Sequence, residues 1–453
     1  MTIDKQRVAE LKQREDQRFI EERPKSRALL ERGSDVMPGG VPMPWMVSLY
    51  DHPPMFIAEA KGAYLTDVDG HRYLDMNLAD TSMACGYGLD VVADAVDSAF
   101  RKGGQYLLPN EETIDVAEAL VERFGFPHWQ FTLSATAANA EAIRIARAFT
   151  GRERILVFDG KYHGMNAETC QIVGENGVEP EVGGLSKDAG ASTDIVAFND
   201  LAAVEAVLAR GDTACVMAEA ALTNITGVLM PEPGFLDGLS ALTRKYGALL
   251  VVDEAHTHVC AFGGLKQAWN IDCDILVVGK AIASGVPTGV YGFKDEIAVY
   301  LEDALKAGSL GELQVPMLAL GGTLFGNPVQ IAAVGATLEH VLTRDAQEQA
   351  AALGAYLSDG IEAAAAKYGL PWSAHRLYSR SGYHLAKTLP RTAAEAYAVH
   401  DGDLRNMMRV YMANRGIWEA IFSASPAVSL AATKGDIDFY LSVFDECLGE
   451  LTA

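Results

Sequence analysis

The amino-acid sequence predicts an α/β fold, in which helices cover both faces of a mainly parallel β-sheet and a smaller α+β domain accompanies it. Two observations predict this architecture. Between about residues 90 and 310, short apolar runs alternate with helical stretches, which is typical of right-handed crossovers between parallel strands. Of the 453 residues, 49% are hydrophobic and 21% are charged, so the chain can bury a substantial core.

Residues 1–89 are predicted to supply an N-terminal helix and part of the smaller domain. Residues 5–32 are rich in charge and carry apolar residues at helical spacing, which predicts a helix lying across another surface, such as that of a second subunit. A Pro-Gly-Gly turn at residues 38–40 ends this segment. Residues 63–67 and 72–75 flank an Asp-Gly pair, which predicts a β-hairpin.

Residues 90–340 are predicted to form the large domain and residues 341–453 a C-terminal small domain. Strands buried on both faces have nearly continuous apolar sequences. Runs of this kind occupy residues 155–158, 195–198, 214–218, 248–252 and 275–278. An Ala-rich helical run, residues 329–343, follows a Gly-Asn-Pro turn. The remaining residues have the mixed pattern of an α+β domain.

The charge balance and the cysteines exclude several classes of protein. Lys and Arg total 37 against 60 Asp and Glu, a formal net charge of −23, so nucleic acid and anionic membranes are not expected partners. Such a surface can attract cationic amines, or it can simply keep the protein soluble. The six cysteines form no Cys-x-x-Cys pair, and the charged N-terminus lacks a signal sequence. We therefore expect a cytoplasmic protein with reduced thiols and no metal site.

Two apolar runs end in single ionisable residues. Asp253 follows residues 249–252, and Lys280 follows residues 275–278 and Gly279. Ligands of parallel sheets bind at the carboxyl ends of strands, where a buried carboxylate needs a partner and a lysine can form a Schiff base with a carbonyl group. Taken singly, a helix cap or a salt bridge explains Asp253 equally well, and an exposed lysine after a strand explains Lys280 better.

Small residues mark a candidate anion site. Ser134, Ala135 and Thr136 follow a strand and precede a helical run, so they predict either an anion cradle at a helix N-terminus or ordinary helix capping. A second glycine-rich turn spans residues 321–328. An anion cradle, a strand-end acid and a strand-end lysine together match pyridoxal phosphate, which has a phosphate, a ring nitrogen and an aldehyde to be bound.

With these motifs, the sequence resembles the class III aminotransferases, fold-type I pyridoxal phosphate enzymes that include glutamate-1-semialdehyde aminomutase and the omega-type amine transaminases. The stretches that carry the resemblance are residues 142–152, 162–164, 252–254, 279–280 and 321–328. The resemblance implies a seven-stranded sheet in the large domain and a small domain built from the N- and C-terminal segments. It also implies a homodimer or a larger assembly, with active sites at the subunit interface.

The resemblance assigns roles around the cofactor. Lys280 would bind the aldehyde, and Asp253 would pair with the pyridine nitrogen. Tyr162 and Ala255 would contact the two faces of the ring. Residues matching the phosphate site are Ser134, Ala135, Thr136 and, from the neighbouring subunit, Thr323.

Some positions depart from the family pattern or fit it less firmly. The usual Ser-Gly-Thr-Glu is Ser-Ala-Thr-Ala at residues 134–137, and a backbone cradle tolerates alanine where φ is negative. Glu219 and Asn224 match family residues near the cofactor, although Glu219 could equally be structural. His256 and His258 replace other residues, as members of the site or as packed histidines.

The loop at residues 38–46 bears on the substrate. In the aminomutase, an arginine of this loop binds the substrate carboxylate, whereas this sequence has Met43, Trp45 and Met46 there. We expect these three residues and Tyr162 to line the substrate pocket. An unpaired carboxylate would be costly beside such side chains, so the loop favours an apolar amine or an arginine from elsewhere, with Arg380 and Arg415 as candidates. The loop could also simply pack against a helix.

The predicted function is ping-pong amino transfer from an amine or amino acid to an oxo acid such as pyruvate. The partners would then be two small molecules and a second copy of the chain. An aminomutase, racemase or lyase on the same scaffold is the nearest alternative, and a non-catalytic pyridoxal phosphate-binding protein is another.

Overall fold

A seven-stranded β-sheet between layers of helices forms the centre of the protein. It is seen in a computed structural model that describes residues 3–48, 50–175, 177–306, 309–310, 315–316, 318–419 and 425–453. The predicted α/β fold with a mainly parallel sheet is confirmed.

Helices and strands alternate through most of the chain. The strands are β1 (Ile57–Lys61), β2 (Tyr64–Asp67), β3 (Arg72–Asp75), β4 (His128–Thr132), β5 (Arg154–Phe158), β6 (Gln171–Gly174), β7 (Gly177–Pro180), β8 (Thr193–Val196), β9 (Thr213–Glu219), β10 (Leu222–Ile225), β11 (Gly227–Leu229), β12 (Leu249–Asp253), β13 (Ile275–Gly279), β14 (Gly289–Phe293), β15 (Ser309–Leu310), β16 (Val315–Pro316), β17 (Ser373–His375), β18 (Gly382–His384) and β19 (Ile417–Trp418). The α-helices are α1 (Lys5–Glu21), α2 (Pro24–Ser34), α3 (Trp45–Ser48), α4 (Asp90–Arg101), α5 (Glu111–Phe124), α6 (Ala135–Thr150), α7 (Leu201–Leu208), α8 (Phe235–Tyr246), α9 (Gly264–Ala268), α10 (Asp295–Lys306), α11 (Pro328–His340), α12 (Arg344–Lys367), α13 (Ala393–Ala398), α14 (Gly402–Ala413) and α15 (Lys434–Thr452). Short 3-10 helices occupy Pro38–Gly40, Lys280–Ala283 and Tyr378–Arg380.

The large sheet has the strand order β4-β14-β13-β12-β9-β5-β8, and within it β14 runs antiparallel to both of its neighbours. The five apolar runs correspond to β5, β8, β9, β12 and β13, with ends that differ by at most two residues. These strands form as predicted because both faces of the sheet are buried. Val251 packs in a cluster with residues of α6, whereas Leu250 and Val252 join a separate cluster on the opposite face.

Two glycines let the N-terminus of α6 approach the sheet closely. A Cβ atom on Gly289 of β14 would lie 2.3 Å from the backbone carbonyl of Ser134, and one on Gly279 of β13 would lie 2.8 Å from the Cβ of Ala135. A larger residue at either position would push the helix away. The first turn of α6 therefore lies directly against the ends of β13 and β14.

A smaller sheet joins the two ends of the chain. Its order is β1-β2-β3-β19, and β2 and β3 form the predicted hairpin. The short strand β19, from near the C-terminus, pairs in parallel with β3. N-terminal and C-terminal segments thus share one sheet, as the resemblance implied, while the domain boundaries at residues 89 and 340 stay predictions.

The N-terminal segment, predicted as one helix, consists of α1 and α2. The break falls at Arg23, whose backbone (φ −123°, ψ 56°) is not helical, because a proline disfavours the helical conformation of the residue before it. Val8 and Leu11 of α1 are buried in a cluster with residues of α14 and α15. The surface that α1 covers therefore belongs to its own chain.

The remaining sequence predictions concern the state of the cysteines and the presence of a membrane-spanning helix. All six cysteines are buried free thiols, as predicted. Within the described part of the chain, no helix combines the length and the apolar character that crossing a bilayer requires.

Candidate active site

A cavity of about 330 Å³ lies at the carboxyl ends of β4, β12 and β13. Asp253 is the last residue of β12, Lys280 directly follows β13, and Ser134 lies two residues beyond β4. The sheet register places these ends close together. Asp253 pairs with Val277, and Gly289 of β14 pairs with Gly279 on one side and with Thr132, the last residue of β4, on the other. The three sequence motifs, which are more than a hundred residues apart at the extremes, therefore meet at one edge of the sheet.

Lys280 extends into this cavity and forms an ion pair. Its Nζ lies 2.5 Å from Oδ2 of Asp80 and 3.1 Å from the Asp80 carbonyl oxygen. Lys280 has a φ of +51°, which is rare for a residue with a side chain. This left-handed conformation lies where β13 ends and the 3-10 helix Lys280–Ala283 begins.

Asp80 lies in a strained segment that the sequence analysis did not identify. Four consecutive residues that are not glycine, Leu78–Thr81, have positive φ values between 47° and 64°. Strain of this kind concentrates at functional sites. Burial alone would raise the pKa of the Asp80 carboxyl, but the positive charge of Lys280 holds that pKa below its usual value, so the carboxylate is anionic.

Asp253 is 4% exposed and is held by three hydrogen-bonding groups. Asn139 donates to its Oδ2 at 2.7 Å, His163 Nδ1 lies 2.9 Å from the same oxygen, and the backbone N–H of Ala255 donates to Oδ1 at 2.9 Å. Burial would raise the pKa of Asp253, but these hydrogen bonds, with that of His163 the largest, lower it. Asp253 is therefore a buried anion with a fixed orientation.

The N-terminus of α6 forms the anion-binding side of the cavity. Ser134 caps the helix, since its Oγ accepts from the N–H of Ala137 at 3.2 Å, and the first-turn N–H groups lack intrahelical acceptors. Ala135 is the first helical residue and has no positive φ, so the alanine in place of the family's glycine keeps the cradle. Gly164 packs so closely here that its Cβ would lie 2.1 Å from the Thr136 hydroxyl.

Most of the predicted site residues line this cavity: Trp45, Ser134, Ala135, Thr136, Tyr162, Asn224, Asp253, Ala255, His256 and Lys280. Glu219 does not line it. The Glu219 carboxylate instead accepts from the backbone N–H of Tyr162 at 3.2 Å and from the N–H and hydroxyl of Thr223, which is the structural alternative considered above. Thr323 is exposed and lies outside the cavity of its own chain, so its assignment to a neighbouring subunit stays a prediction.

The two unusual histidines have different environments. His256 is 5% exposed and lines the cavity. Its Nδ1 lies 3.2 Å from the Thr81 hydroxyl, and its Nε2 lies 3.9 Å from Oδ2 of Asp80. His258 is buried outside the cavity, with Nδ1 3.0 Å from the carbonyl of Glu254. It is a packed histidine.

The predicted substrate loop lines a second cavity. This apolar cavity, of about 400 Å³, is bordered by Met43, Trp45 and Met46 and shares Trp45 and Asp80 with the cavity around Lys280. The two candidate arginines border neither cavity. Arg380 is 1% exposed and is 3.5 Å from the carbonyl of Thr223, and Arg415 forms ion pairs with Glu15 and Glu446.

Sequence reasoning missed three residues that shape the site. Asn139 and His163 orient Asp253, and Asp80 pairs with Lys280. Asn139 could have been recognised as a polar residue on the buried, otherwise apolar face of α6. Asp80 is a single charge in the segment from Met76 to Cys85, which is the only local signal for it.

This fold and the groups at its strand ends define a fold-type I pyridoxal phosphate enzyme, and comparison with known proteins assigns the family. The profile of the aminotransferase class-III family matches residues 46–373. The chain belongs to this family.

Individual relatives include both aminomutases and aminotransferases. The glutamate-1-semialdehyde 2,1-aminomutase of Anaeromyxobacter dehalogenans (strain 2CP-C) is 36% identical over 363 residues, which cover 78% of this chain and 81% of the relative. The crystal structure of a glutamate-1-semialdehyde-aminomutase from Pseudomonas aeruginosa PAO1 has a TM-score of 0.94 at 34% identity and covers 100% of both chains. That of a β-phenylalanine aminotransferase from Variovorax paradoxus has a TM-score of 0.85 at 27% identity, covering 98% of this chain and 97% of the other.

Because the family is pyridoxal phosphate-dependent, pyridoxal phosphate is the cofactor of this protein. The residues around the cavity fit it. A fixed buried anion, an amine, and free N–H groups at a helix N-terminus converge here. Thr288 Oγ1 and His163 Nε2, both buried beside this space, have no hydrogen-bond partner among the described residues, as expected where a ligand completes the packing.

Proposed function

We propose that this cavity binds pyridoxal phosphate and that the protein moves an amino group on a small amino compound. The observation that carries the proposal is the convergence of Lys280, Asp253 and the N-terminus of α6 at one edge of the sheet. Lys280 is proposed to bind the aldehyde, Asp253 the ring nitrogen, and the first turn of α6 the phosphate. Tyr162 and Ala255 are proposed to contact the ring, and Thr323 to complete the phosphate site of a neighbouring subunit.

The chain's own residues are proposed to carry the proton transfers. When bound, the cofactor supplies an aldehyde that condenses with amines and a ring that accepts the electrons of a bond broken beside the amino group. Lys280 Nζ accepts the proton of the substrate carbon and returns it to the aldehyde carbon of the cofactor. Asp253, kept anionic by His163 and Asn139, holds a proton on the ring nitrogen, so charge developing in the ring is stabilised.

Two reactions use these steps, and each has its own support. Movement of the amino group within one molecule, as in an aminomutase, is supported by the aminomutase relatives that match at 36% and 34% identity. Transfer from an amine to an oxo acid such as pyruvate is supported by Met43, Trp45 and Met46, which replace the carboxylate-binding arginine expected in an aminomutase. We give the aminomutase-type reaction precedence, and amino transfer is the second candidate.

The first experiment tests the assignment of Lys280. Borohydride reduction of the holoenzyme followed by peptide mapping should place the cofactor label on Lys280. The variant Lys280→Ala should lose the label and all turnover. As a matched control, Lys294→Ala removes a half-buried lysine that pairs with Asp272 and Asp274 away from the cavity. This variant should keep both the label on Lys280 and the turnover of the wild type. A label on another lysine, or full activity of Lys280→Ala, would contradict the proposal.

The second experiment separates the two reactions. The holoenzyme is incubated with a single amino substrate, first alone and then with pyruvate. An aminomutase forms an isomer of the substrate without an acceptor, whereas an aminotransferase releases a carbonyl product only as alanine accumulates. The product ratio, followed by chromatography, decides between the two candidates.

A further inference from the structure

A single carboxylate, that of Asp80, lies where the two cavities of the site meet. The cavity around Lys280 and the apolar cavity meet at Trp45 and Asp80, which border both. Asp80 is the one acidic or basic side chain among the described residues bordering the apolar cavity. Its other walls include the aromatic rings of Trp45, Tyr50 and Trp418. An amine that reaches the reaction centre from this side thus passes a single carboxylate at the junction.

The Asp80 carboxylate has capacity for a further donor. Its Oδ2 accepts from Lys280 Nζ at 2.5 Å, but Oδ1 is buried and has no hydrogen-bond partner among the described residues. The neighbouring His256 Nε2, 3.9 Å from Oδ2, likewise has no partner among them. Two unpartnered polar atoms on residues that line one cavity indicate a ligand with hydrogen-bonding groups.

Among the described residues, Lys280 is the one lysine or arginine that forms an ion pair with this carboxylate, so Asp80 loses that partner once Lys280 is engaged elsewhere. Burial lowers the pKa of His256 well below its usual value, so the imidazole is neutral at neutral pH. Among the described residues bordering either cavity there is no arginine. The charge of the buried Arg380 acts on Asp80 from outside both cavities, without an ion pair or hydrogen bond to it. Since a buried carboxylate without a directly paired cation is costly, Asp80 favours a cationic ligand.

We propose that Asp80 binds the ammonium group of a primary amine whose apolar or aromatic body occupies the apolar cavity, and that Asp80 excludes compounds with a carboxylate beside the amino group. The inference rests on the proposed function in its amino-transfer form, because an amine with a purely apolar body has no second position to which an aminomutase could move the amino group. The reacting amine would take the place of the Lys280 amine, with which Asp80 pairs. A cavity of about 400 Å³ is within the size range of small-molecule sites. The substrate class therefore differs from that of relatives whose substrate carries a carboxylate.

The test uses probes that cannot react. N,N-Dimethylbenzylamine is a cation that cannot condense with an aldehyde, and benzyl alcohol is its neutral counterpart. Binding to the holoenzyme is measured by calorimetry, for the wild type, Asp80→Asn and Asp90→Asn. Asp90 carries the same chemical change at a surface position, where its side chain is 90% exposed.

The expected result is a selective loss. Asp80→Asn should weaken binding of the cationic probe by about tenfold to a hundredfold, the range for a lost hydrogen bond to a charged group, and should leave binding of benzyl alcohol unchanged. Asp90→Asn should bind both probes like the wild type. When an amine is added to the holoenzyme without an acceptor, the absorbance of the cofactor should change at a lower concentration of benzylamine than of phenylalanine. Asp80→Asn should reduce the difference between these two concentrations.

If Asp80→Asn lost affinity equally for both probes, or lost affinity for neither, the inference would be overturned. Borohydride mapping of the wild type and of Asp80→Asn keeps this outcome separate from failure of the proposed function. If the label falls on Lys280 in both proteins and the probes are not discriminated, only the role of Asp80 is wrong. If the label is absent from Lys280 in the wild type, the proposed function itself fails.

Discussion

Asp253 and Glu254 are adjacent carboxyl groups with opposite electrostatic environments. Hydrogen bonds from His163 and other donors lower the pKa of Asp253 against the effect of burial. Glu254 is 0% exposed and faces away from the cavity, where it accepts from the N–H groups of Leu265 and Lys266. Burial outweighs these bonds and raises the pKa of Glu254 to about 7. The same functional group, a carboxyl, therefore has two different uses: Asp253 is an anion at the site, and Glu254 is a structural acid behind it.

The raised pKa of Glu254 predicts a pH-dependent contribution to stability. Between its usual value of 4.5 and about 7, the folded protein keeps the proton while the unfolded chain releases it. The stabilisation is therefore complete below about pH 4.5 and is lost as the pH rises through 7. The full change is on the order of 3 kcal/mol.

Denaturant unfolding of the wild type and Glu254→Gln at pH 5 and pH 8 measures this contribution. We expect the variant to gain stability relative to the wild type as the pH rises, because glutamine has no proton to lose. Glu59→Gln, the same change at an exposed position, serves as the control. Parallel pH profiles for Glu254→Gln and the wild type would show that Glu254 does not titrate in this range.

At the scale of elements, the two ends of α6 offer a matched pair of glycines. Gly164 (φ +84°) packs against the N-terminus, where a Cβ would lie 2.1 Å from the Thr136 hydroxyl. Gly151 (φ +67°) caps the C-terminus and has nothing within 4 Å of its Cβ position. Alanine at either position has the same unfavourable left-handed backbone, so only Gly164→Ala adds a clash beside the proposed phosphate site.

We therefore expect Gly164→Ala to weaken cofactor binding by about tenfold or more, equivalent to about 1.4 kcal/mol. Gly151→Ala should cost some stability and leave the cofactor affinity unchanged. Titration of the apoprotein with pyridoxal phosphate, followed by absorbance, gives both affinities. If both variants bound the cofactor equally well, the close packing of Gly164 on Thr136 would not matter for the site.

The elements that the sequence predicted well are those whose environment is uniform. Continuous apolar runs such as residues 275–278 became buried strands because both faces of the sheet are covered. The position of Asp80 was not predictable in this way. It depends on four left-handed residues, Leu78–Thr81, and none of these is a glycine that would have indicated such a backbone. Asp80 and Lys280 are 200 residues apart in the sequence. A contact between such distant residues, made by a strained loop, leaves no local pattern in the sequence from which it could be predicted.

At the scale of the whole molecule, the net charge of −23 has two opposing effects. It favours solubility, and it destabilises the folded state through repulsion between like charges. Many acidic residues have partners, as in the ion pairs of Arg154 with Asp194 and of Lys367 with Asp445. Others, such as Glu59, Asp94 and Glu348, are exposed. Repulsion among such surface charges destabilises the compact state, and salt screens it.

We expect the apparent melting temperature to rise by about 1–3 °C between 10 and 150 mM sodium chloride, the size of shift that a change of roughly 1 kcal/mol produces. Thermal unfolding followed by circular dichroism measures it, with sucrose of equal osmolality as the control for general solvent effects. The triple variant Glu59→Gln, Asp94→Asn and Glu348→Gln removes three negative charges, so it should melt higher at low salt and respond less to salt. A fall in melting temperature with salt would instead show that attractive ion pairs outweigh the repulsion, because screening weakens both.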